Sequence, residues 1–542
     1  MGDIAQIGLL KMDFLGLANL TIHGRAKEII KQDHGIDIDL YKIPMDDKKT
    51  FDLLSAGETT GVFQLEGAGM RRYIKDLKPT AFSDIAAMVA LYRPGPMEHI
   101  PTFIKAKHGI EPIRYPHPAL ATILEETYGV IVYQDQVLFI VRAFAGYSLG
   151  QADIFRKAMG KKIPEVMKKE KRNFIAGARK NDFSTELAEQ VFSLIEPFAG
   201  YAFNKAHSFS YALIAYQTAY LKANYPAEYM TAFLISHIGQ QEKVASAVAE
   251  CRRLGIPVLP SDVNHSQVSF AIEQKEGASA IRFGLAAIKN VGPSAVEPII
   301  AEREKNGSFK SIEDLCRRCD LRGVNRRVLE SLIKAGAFDS LGVSRATLLT
   351  NIGRLSALAQ REQRLRETGQ ATMFDLWGTV TTAPAASLEL ESAETSVKDK
   401  LAWEKELLGV YLSEHPFSSV AGSIGSETTL CGQIDAELDG QTVSIAGLVV
   451  SVHNLFTRDR KPFVSAILED LSGQIEVMVW PRVFNETGLL WQEGNILLIE
   501  GKVRGREDRV QVQCDKVSQY QPGVQPQGEP APVVTVAPAK PE

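Results

Sequence analysis

Lys11-Met12-Asp13-Phe14-Leu15-Gly16-Leu17 follows the apolar run Ile7-Gly8-Leu9-Leu10 near the start of this 542-residue chain. An apolar run that closes on two charges predicts a buried strand delivering Lys11 and Asp13 to its end. Successive strand side chains point to opposite faces, so Lys11 and Asp13 share one. A carboxylate placed there can hold a divalent metal, and a lysine two residues away can neutralise a phosphate bound to that metal. The same residues alone would also fit a turn at a strand end, so the rest of the chain decides.

Its length predicts several domains with real cores, and 45% hydrophobic with 23% charged residues is a soluble globular balance. The longest apolar-looking stretch, Phe209 to Leu221, is broken by Gln217 and stopped by Lys222, so it is not expected to cross a membrane. No basic-apolar leader opens the sequence, and its five cysteines are scattered. Both features predict a cytoplasmic, reducing location. A net charge of −4 argues against a uniformly basic nucleic-acid binder and leaves local patches to decide.

In chain order, Asp37-Ile38-Asp39 has the period-2 spacing of a two-carboxylate metal site, but it sits in a Gly-containing turn before Ile43-Pro44 and reads as a solvated loop. Val62-Phe63-Gln64-Leu65 reads as a short strand among short helices. In Ala90-Leu91-Tyr92-Arg93-Pro94-Gly95-Pro96, two prolines around a glycine predict a rigid turn that holds Arg93 at a fixed angle, suited to a phosphate or a template backbone. Tyr128 to Gln136 reads as a buried strand entering a helix. Between Arg156 and Arg172 stand eight Lys/Arg against two Glu, the most basic stretch of the chain. There Arg156 and Lys157 precede Gly160, and Lys161 and Lys162 follow it, so several cations can converge on a triphosphate. In Phe203-Asn204-Lys205-Ala206-His207, His207 has no ligand partner at metal spacing and is expected to hydrogen-bond a nucleotide or its own loop. Helices are expected from Ser208 and from Pro226, with Tyr211, Tyr216, Tyr220, Tyr229 and Phe233 as packing residues.

Composition shifts near 255. A strand at Ile281–Gly284, a helix over Leu285 to Asn290, a Val291-Gly292 turn and a helix from Ser294 together resemble a helix-hairpin-helix at about 285–300. Such a turn offers backbone N–H groups to a DNA phosphate, which makes Lys289, Asn290, Val291, Gly292 and Ser294 the candidate contacts. Cys316-Arg317-Arg318-Cys319 lacks a second ligand pair and is not read as a zinc site. Gln370-Ala371-Thr372-Met373-Phe374 precedes a Thr/Ala/Pro/Ser linker that runs to about 397, and exposed Met373 and Phe374 call for a partner. Five alternating stretches from Thr442 to Cys514, with a helical segment near Val483 to Leu490, predict an OB-fold, with Phe456, Arg458, Arg460 and Trp480 as candidate single-strand contacts. The Pro/Gln/Val/Ala tail from Pro522 is disordered by composition.

Lys11 to Ile22 resembles the third metal-binding motif of the C-family replicative DNA polymerases, the alpha subunits of bacterial DNA polymerase III. The Arg93 turn, the Arg156–Lys162 helix and the Phe-Asn-Lys-x-His segment resemble that family's fingers, and Gln370–Phe374 resembles its sliding-clamp peptide. The resemblance implies a multidomain, mainly α chain followed by an all-β OB-fold. Its parts would be a palm remnant at 1–20, fingers at 21–255, a clamp-binding domain with the hairpin at 256–420, an OB-fold at 430–520 and a tail at 521–542. It implies Asp13 as catalytic metal ligand in a two-Mg²⁺ site, and a nucleotide site of Lys11, Arg93, Arg156, Lys157, Lys161, Lys162, Asn204, Lys205 and His207. Gln370, Met373 and Phe374 would grip the beta clamp.

The implied partners are primer-template DNA, dNTPs, the clamp, the clamp-loader tau subunit and a proofreading exonuclease, with no membrane. Family palms carry two further aspartates and a Gly-Ser phosphate site ahead of the Asp13 motif, as well as a PHP domain. Only twelve residues precede Asp13 here, so the chain is expected to be inactive alone. A non-catalytic clamp- and DNA-binding module and an error-prone paralogue of the same family are the alternatives.

Overall fold

A computed structural model describes residues 16–160, 164–196, 202–275, 277–368, 389–413, 428–434, 438–457, 459–470, 473–506 and 509–520. The chain divides into two compact units, Met1–Ser413 and Glu414–Glu542.

The first unit is built around the 20-residue helix Lys205–Asn224. Asn204 caps its start, its Oδ1 accepting the His207 N–H at 3.0 Å. Ala212, Ala215 and Ala219 recur at helical spacing and are fully buried, so the backbone can come close to the helix Phe82–Leu91, itself buried from Asp84 onward. The next helix, Pro226–Ser236, starts on a proline at its first position and packs on Ala18–His34. Tyr216 and Tyr229 are fully buried and Phe233 nearly so, as the packing reading expects.

The buried charges described here are met by ion pairs or, for Arg303, by the Val263 and Ser266 carbonyls at 2.9 and 2.8 Å. Lys222 Nζ donates to Glu58 O at 2.7 Å, Thr60 O at 2.9 Å and Glu250 Oε1 at 2.5 Å, and its side chain is fully buried. Arg253 chelates the same Glu250 at 2.8 and 3.0 Å and reaches Glu58 at 2.8 Å. Burial pulls the Lys222 ammonium below its ordinary range. Burial pushes Glu250 the other way but is outweighed by Arg253 and Lys222, which hold its carboxylate low. Asp84, also buried, accepts from the Thr80 and Ala81 amides, from Lys107 and from the Tyr128 hydroxyl. Burial first, and Asp84 second, push that phenol up to about 12.

A second core lies within residues 115–202. The helices Gln134–Ala145, Leu149–Gly160, Pro164–Lys180 and Thr185–Ile195 enclose Val137, Ile140, Phe144, Phe155, Phe174 and Phe192. Gly177 lets two of these helices meet, since a Cβ there would lie 2.4 Å from Ala145 O. Val130 and Val132 belong to the main core and Ile131 to this second one. The buried strand expected over Tyr128–Gln136 is reduced to a single bridge residue, Tyr133, before the helix starts at Gln134, and the segment ahead of it divides three consecutive β-branched residues between two cores.

Val62–Leu65, expected as a strand, forms successive turns instead. Val62 N–H bonds Thr59 O, Leu65 N–H bonds Val62 O, and Gln64 has φ +63°. Buried Val62 and Leu65 are three residues apart and the Phe63 amide is taken by Thr218 Oγ1, which suits a turn and not a ladder.

After residue 255, strands β1 (Val258–Leu259), β2 (Ala271–Lys275) and β3 (Ala278–Arg282) form a sheet in the order β1-β3-β2. The helices Pro293–Asn306, Ile312–Arg318, Arg326–Lys334, Arg345–Thr350 and Ile352–Thr368 follow. Buried Arg345 bonds Asp339 at 2.7 Å, Glu404 at 3.1 Å and Lys334 O at 3.0 Å. Glu404 in turn accepts the Leu412 and Ser413 amides, which fastens the end of the unit.

The second unit holds a closed barrel with strand order β4-β5-β6-β8-β7. Its strands are β4 (Thr442–Phe456), β5 (Pro462–Glu469), β6 (Gln474–Val479), β7 (Ile496–Arg506) and β8 (Arg509–Gln519), with the helix Pro481–Thr487 between β6 and β7. β6 and β8 pair in parallel to close it. Val443, Ile445, Val464, Ala466, Val477 and Ile499 fill the inside at period 2. The strands were legible in the sequence, although β4 and β8 run four and five residues beyond their expected ends at Val452 and Cys514.

Two stability measurements check this account. Lys222→Ala leaves Glu250 buried without its lysine and should cost about 3–5 kcal/mol in urea unfolding, whereas Lys222→Met with Glu250→Gln should cost much less. His23 is buried, and burial lowers its pKa from 6.5 to about 4. The unfolded chain therefore takes up the proton first, and stability present above pH 6.5 falls as the pH drops toward 4, by about 3 kcal/mol in all. His23→Leu should flatten that acid limb.

Candidate nucleotide and nucleic-acid interface

Where the chain enters and leaves the second core, Tyr133 and Phe203 form a parallel bridge. Phe203 N–H donates to Val132 O at 3.0 Å and Gln134 N–H donates to Phe203 O at 2.9 Å. Buried Gln136 secures the Val132–Tyr133 side of the bridge, its Oε1 accepting the Val132 and Tyr133 amides at 2.8 and 2.9 Å and its Nε2 donating to Thr127 Oγ1 at 2.8 Å.

Three of the cations expected from sequence are anchored on this bridge. The Arg93 guanidinium lies 4.1 Å from the Phe203 ring centroid, and its Nε donates to Ala90 O at 3.1 Å. The Arg93 turn is rigid as expected, with Gly95 at φ +102° and Pro96 opening a 3₁₀ turn. Arg156 donates to Gln134 Oε1 at 3.2 Å and to Asp153 Oδ1 at 2.7 Å. The Lys205 ammonium lies 5.5 Å from the Tyr133 ring centroid and 5.2 Å from that of Phe209, and pairs with Glu126 Oε2 at 2.6 Å. Asp153 stands at i,i+3 spacing from Arg156 on one helix, whereas sequence spacing gave no sign of Glu126, 79 residues from Lys205.

His207 is exposed and sits between rings, 5.4 Å from Phe203 and 4.3 Å from Tyr211, with Phe63 5.3 Å beyond Tyr211. Asn204, expected at the nucleotide, spends its Oδ1 on the helix cap. Lys157 lies within the helix Leu149–Gly160, although its side chain, like Lys161 and Lys162, falls outside the described residues. So do Lys11, Asp13, Gln370, Met373, Phe374 and Arg458.

Among the described residues no group of three His, Cys, Asp or Glu could hold a metal ion. The described residues therefore offer no such site for Mg²⁺. Asp37 is tied to Lys31 at 3.0 Å, and that hydrogen bond holds its carboxyl low. Asp39 accepts the Tyr41 amide and pairs with Lys42. This is the solvated turn read from the sequence.

In the hairpin, the expected first helix is a single 3₁₀ turn, Leu285–Ala287. Gly284 before it is pressed so close to Ser269 that a Cβ would lie 2.3 Å from that backbone, and Ile288 after it is extended, which ends the turn before an α-helix forms. Asn290 takes φ +70° and bonds Ser331 Oγ at 3.3 Å, buried Val291 anchors the turn, and Gly292 caps the helix Pro293–Asn306. Lys289 is exposed, and its amide is fixed to Leu407 O at 3.0 Å. Exposed Arg326 and Arg327 start the helix Arg326–Lys334, and the preceding turn touches the same hairpin, a Gly323 Cβ lying 3.3 Å from Ser294 O.

On the barrel, Trp480 stacks on Phe463 at 5.1 Å and 18°, and Phe456 is 70% exposed. Among the described residues no helix is long and apolar enough to cross a membrane.

A helical body with clustered cations, a hairpin and an OB barrel defines a multidomain nucleic-acid-binding protein. Three family models match in register with these parts: the bacterial DNA polymerase III alpha subunit finger domain at residues 19–182, a helix-hairpin-helix motif at 255–348 and an OB-fold nucleic acid binding domain at 443–519. DNA polymerase III subunit alpha of Thermus aquaticus is 43% identical over 526 residues, 95% of this chain and 42% of that protein. The Escherichia coli K12 subunit is 41% identical over 92% of this chain and 44% of its own length, and that of Bacillus subtilis is 40% identical over 94% and 45%. The chain is related to the DNA polymerase III alpha subunits, and it spans somewhat under half the length of these relatives.

The capping role of Asn204 is separable from ligand binding. Asn204→Ala should cost about 1 kcal/mol in urea unfolding, while Asn204→Asp, which still caps, should cost a few tenths at most.

Proposed function

We propose that this chain supplies the nucleotide- and DNA-gripping parts of a DNA polymerase that adds deoxynucleotides to a primer 3′ end during chromosome replication. The observation that carries this is the convergence of Arg93, Arg156 and Lys205, from three separate segments, on one backbone bridge in a relative of DNA polymerase III alpha subunits. Fixed cations around a rigid backbone suit a triphosphate, whose recognition is positioning and charge neutralisation. His207, held between two rings, offers a nitrogen to sugar or base, and Asn204 orients it by capping the helix.

The turn at Lys289–Ser294 would hold a duplex phosphate without reading sequence, as a polymerase requires. The barrel would take a single strand on Phe456 and Trp480. Gln370, Met373 and Phe374 are proposed to grip the sliding clamp, with the clamp loader tau subunit and a proofreading exonuclease as further partners in the cytoplasm. Asp13 would be one metal carboxylate and Lys11 a phosphate contact beside it. Two-metal phosphoryl transfer needs more than one carboxylate, so this chain alone is expected not to polymerise.

Primer extension with Mg²⁺ and four dNTPs, beside Asp13→Ala, tests this. No extension by either protein, with primer-template binding retained, is the expected result. Extension abolished by Asp13→Ala would overturn the incompleteness. For the duplex contact, Lys289→Ala should weaken binding equally across sequences and reduce the log–log salt slope by roughly 0.9.

A further inference from the structure

Lys205 has two kinds of partner. Beneath it are the rings of Tyr133 and Phe209, which hold a cation without using its hydrogen-bond donors. At its head is Glu126, 79 residues away in sequence, at 2.6 Å. An ammonium has three donors, and Glu126 takes one. Beside the pair opens a cavity of about 610 Å³ lined by Ile123, Glu126, Asp135, Phe139, Ala143 and Lys205. The space next to the ammonium is thus accessible, and both carboxylates in its wall disfavour an anion.

We propose that Glu126 sets the polyphosphate affinity of the Phe203–His207 segment by competing for Lys205, so that a phosphate group binds by taking the place of Glu126. The proposal rests on reading that segment as a polyphosphate site. The rings keep Lys205 in position when Glu126 leaves, so only the carboxylate has to move. Lys205 and Glu126 are 35% and 41% exposed, and a half-exposed pair holds weakly enough for a multivalent anion to displace it. Asp135 adds repulsion from the cavity wall and acts in the same direction.

Isothermal titration of the full chain with inorganic tripolyphosphate at low salt tests it. Glu126→Gln should bind about five-fold tighter than wild type, the equivalent of about 1 kcal/mol for such a pair. Glu126→Asp, which keeps the charge, should stay near wild type, and Asp135→Asn should tighten binding less. Lys205→Gln should bind more weakly, and adding Glu126→Gln to it should tighten binding no more than Asp135→Asn does, well short of the five-fold seen with Lys205 present. Unchanged or weaker binding by Glu126→Gln, with Lys205→Gln still impaired, would overturn the competition and leave the site reading intact. Equal binding by Lys205→Gln and wild type, or no binding by any of the proteins, would overturn the site reading and the proposal together.

Discussion

Two backbone hydrogen bonds, from Phe203 to Val132 and Gln134 on either side of Tyr133, hold the functional end of the first unit together. They close a segment of about seventy residues with its own aromatic core and fix Tyr133 beside Phe203. Each cation then takes its place from a bridge residue: Arg93 from the Phe203 ring, Lys205 from the Tyr133 ring and Arg156 from the Gln134 amide oxygen. A shift at the bridge would therefore move all three. Gln136, buried beneath and bonded to the Val132 and Tyr133 amides, makes such a shift costly.

Elsewhere in the unit, buried cations are held by several partners at once. Lys222 uses all three donors inside the protein and Arg345 ties two turns and Glu404 together, whereas the cations at the bridge remain partly exposed. The difference is physical. A fully satisfied buried cation has nothing left to offer a ligand, while Lys205, lying on two aromatic faces with one donor on Glu126, keeps donors available. Ring-supported cations suit recognition of an anion that must bind and leave.

Much of this was legible in the sequence because it rests on local rules. Pro94-Gly95-Pro96 predicts a stiff turn, the helix expected from Ser208 is present although it starts three residues earlier at Lys205, and alternation from Thr442 onward gives a barrel. What could not be read were partnerships across the fold. Glu126 and Lys205 are 79 residues apart, and Gln134 and Arg156 meet only because two helices fold back on each other. Val62–Leu65 misled for a related reason, since four residues with a β-branched start look like a strand until buried Val62 and Leu65 are seen to face one core. The hairpin's first helix stops after one turn at Ile288, whose extended backbone no local pattern announces.

The central claim is that the bridge gathers a polyphosphate site, and hydrogen exchange with and without dATP and Mg²⁺ addresses it most directly. Slowed exchange at residues 132–134, 153–156 and 203–207 together is the result this account predicts. Protection confined to the barrel, or none in any of these three segments, would contradict it.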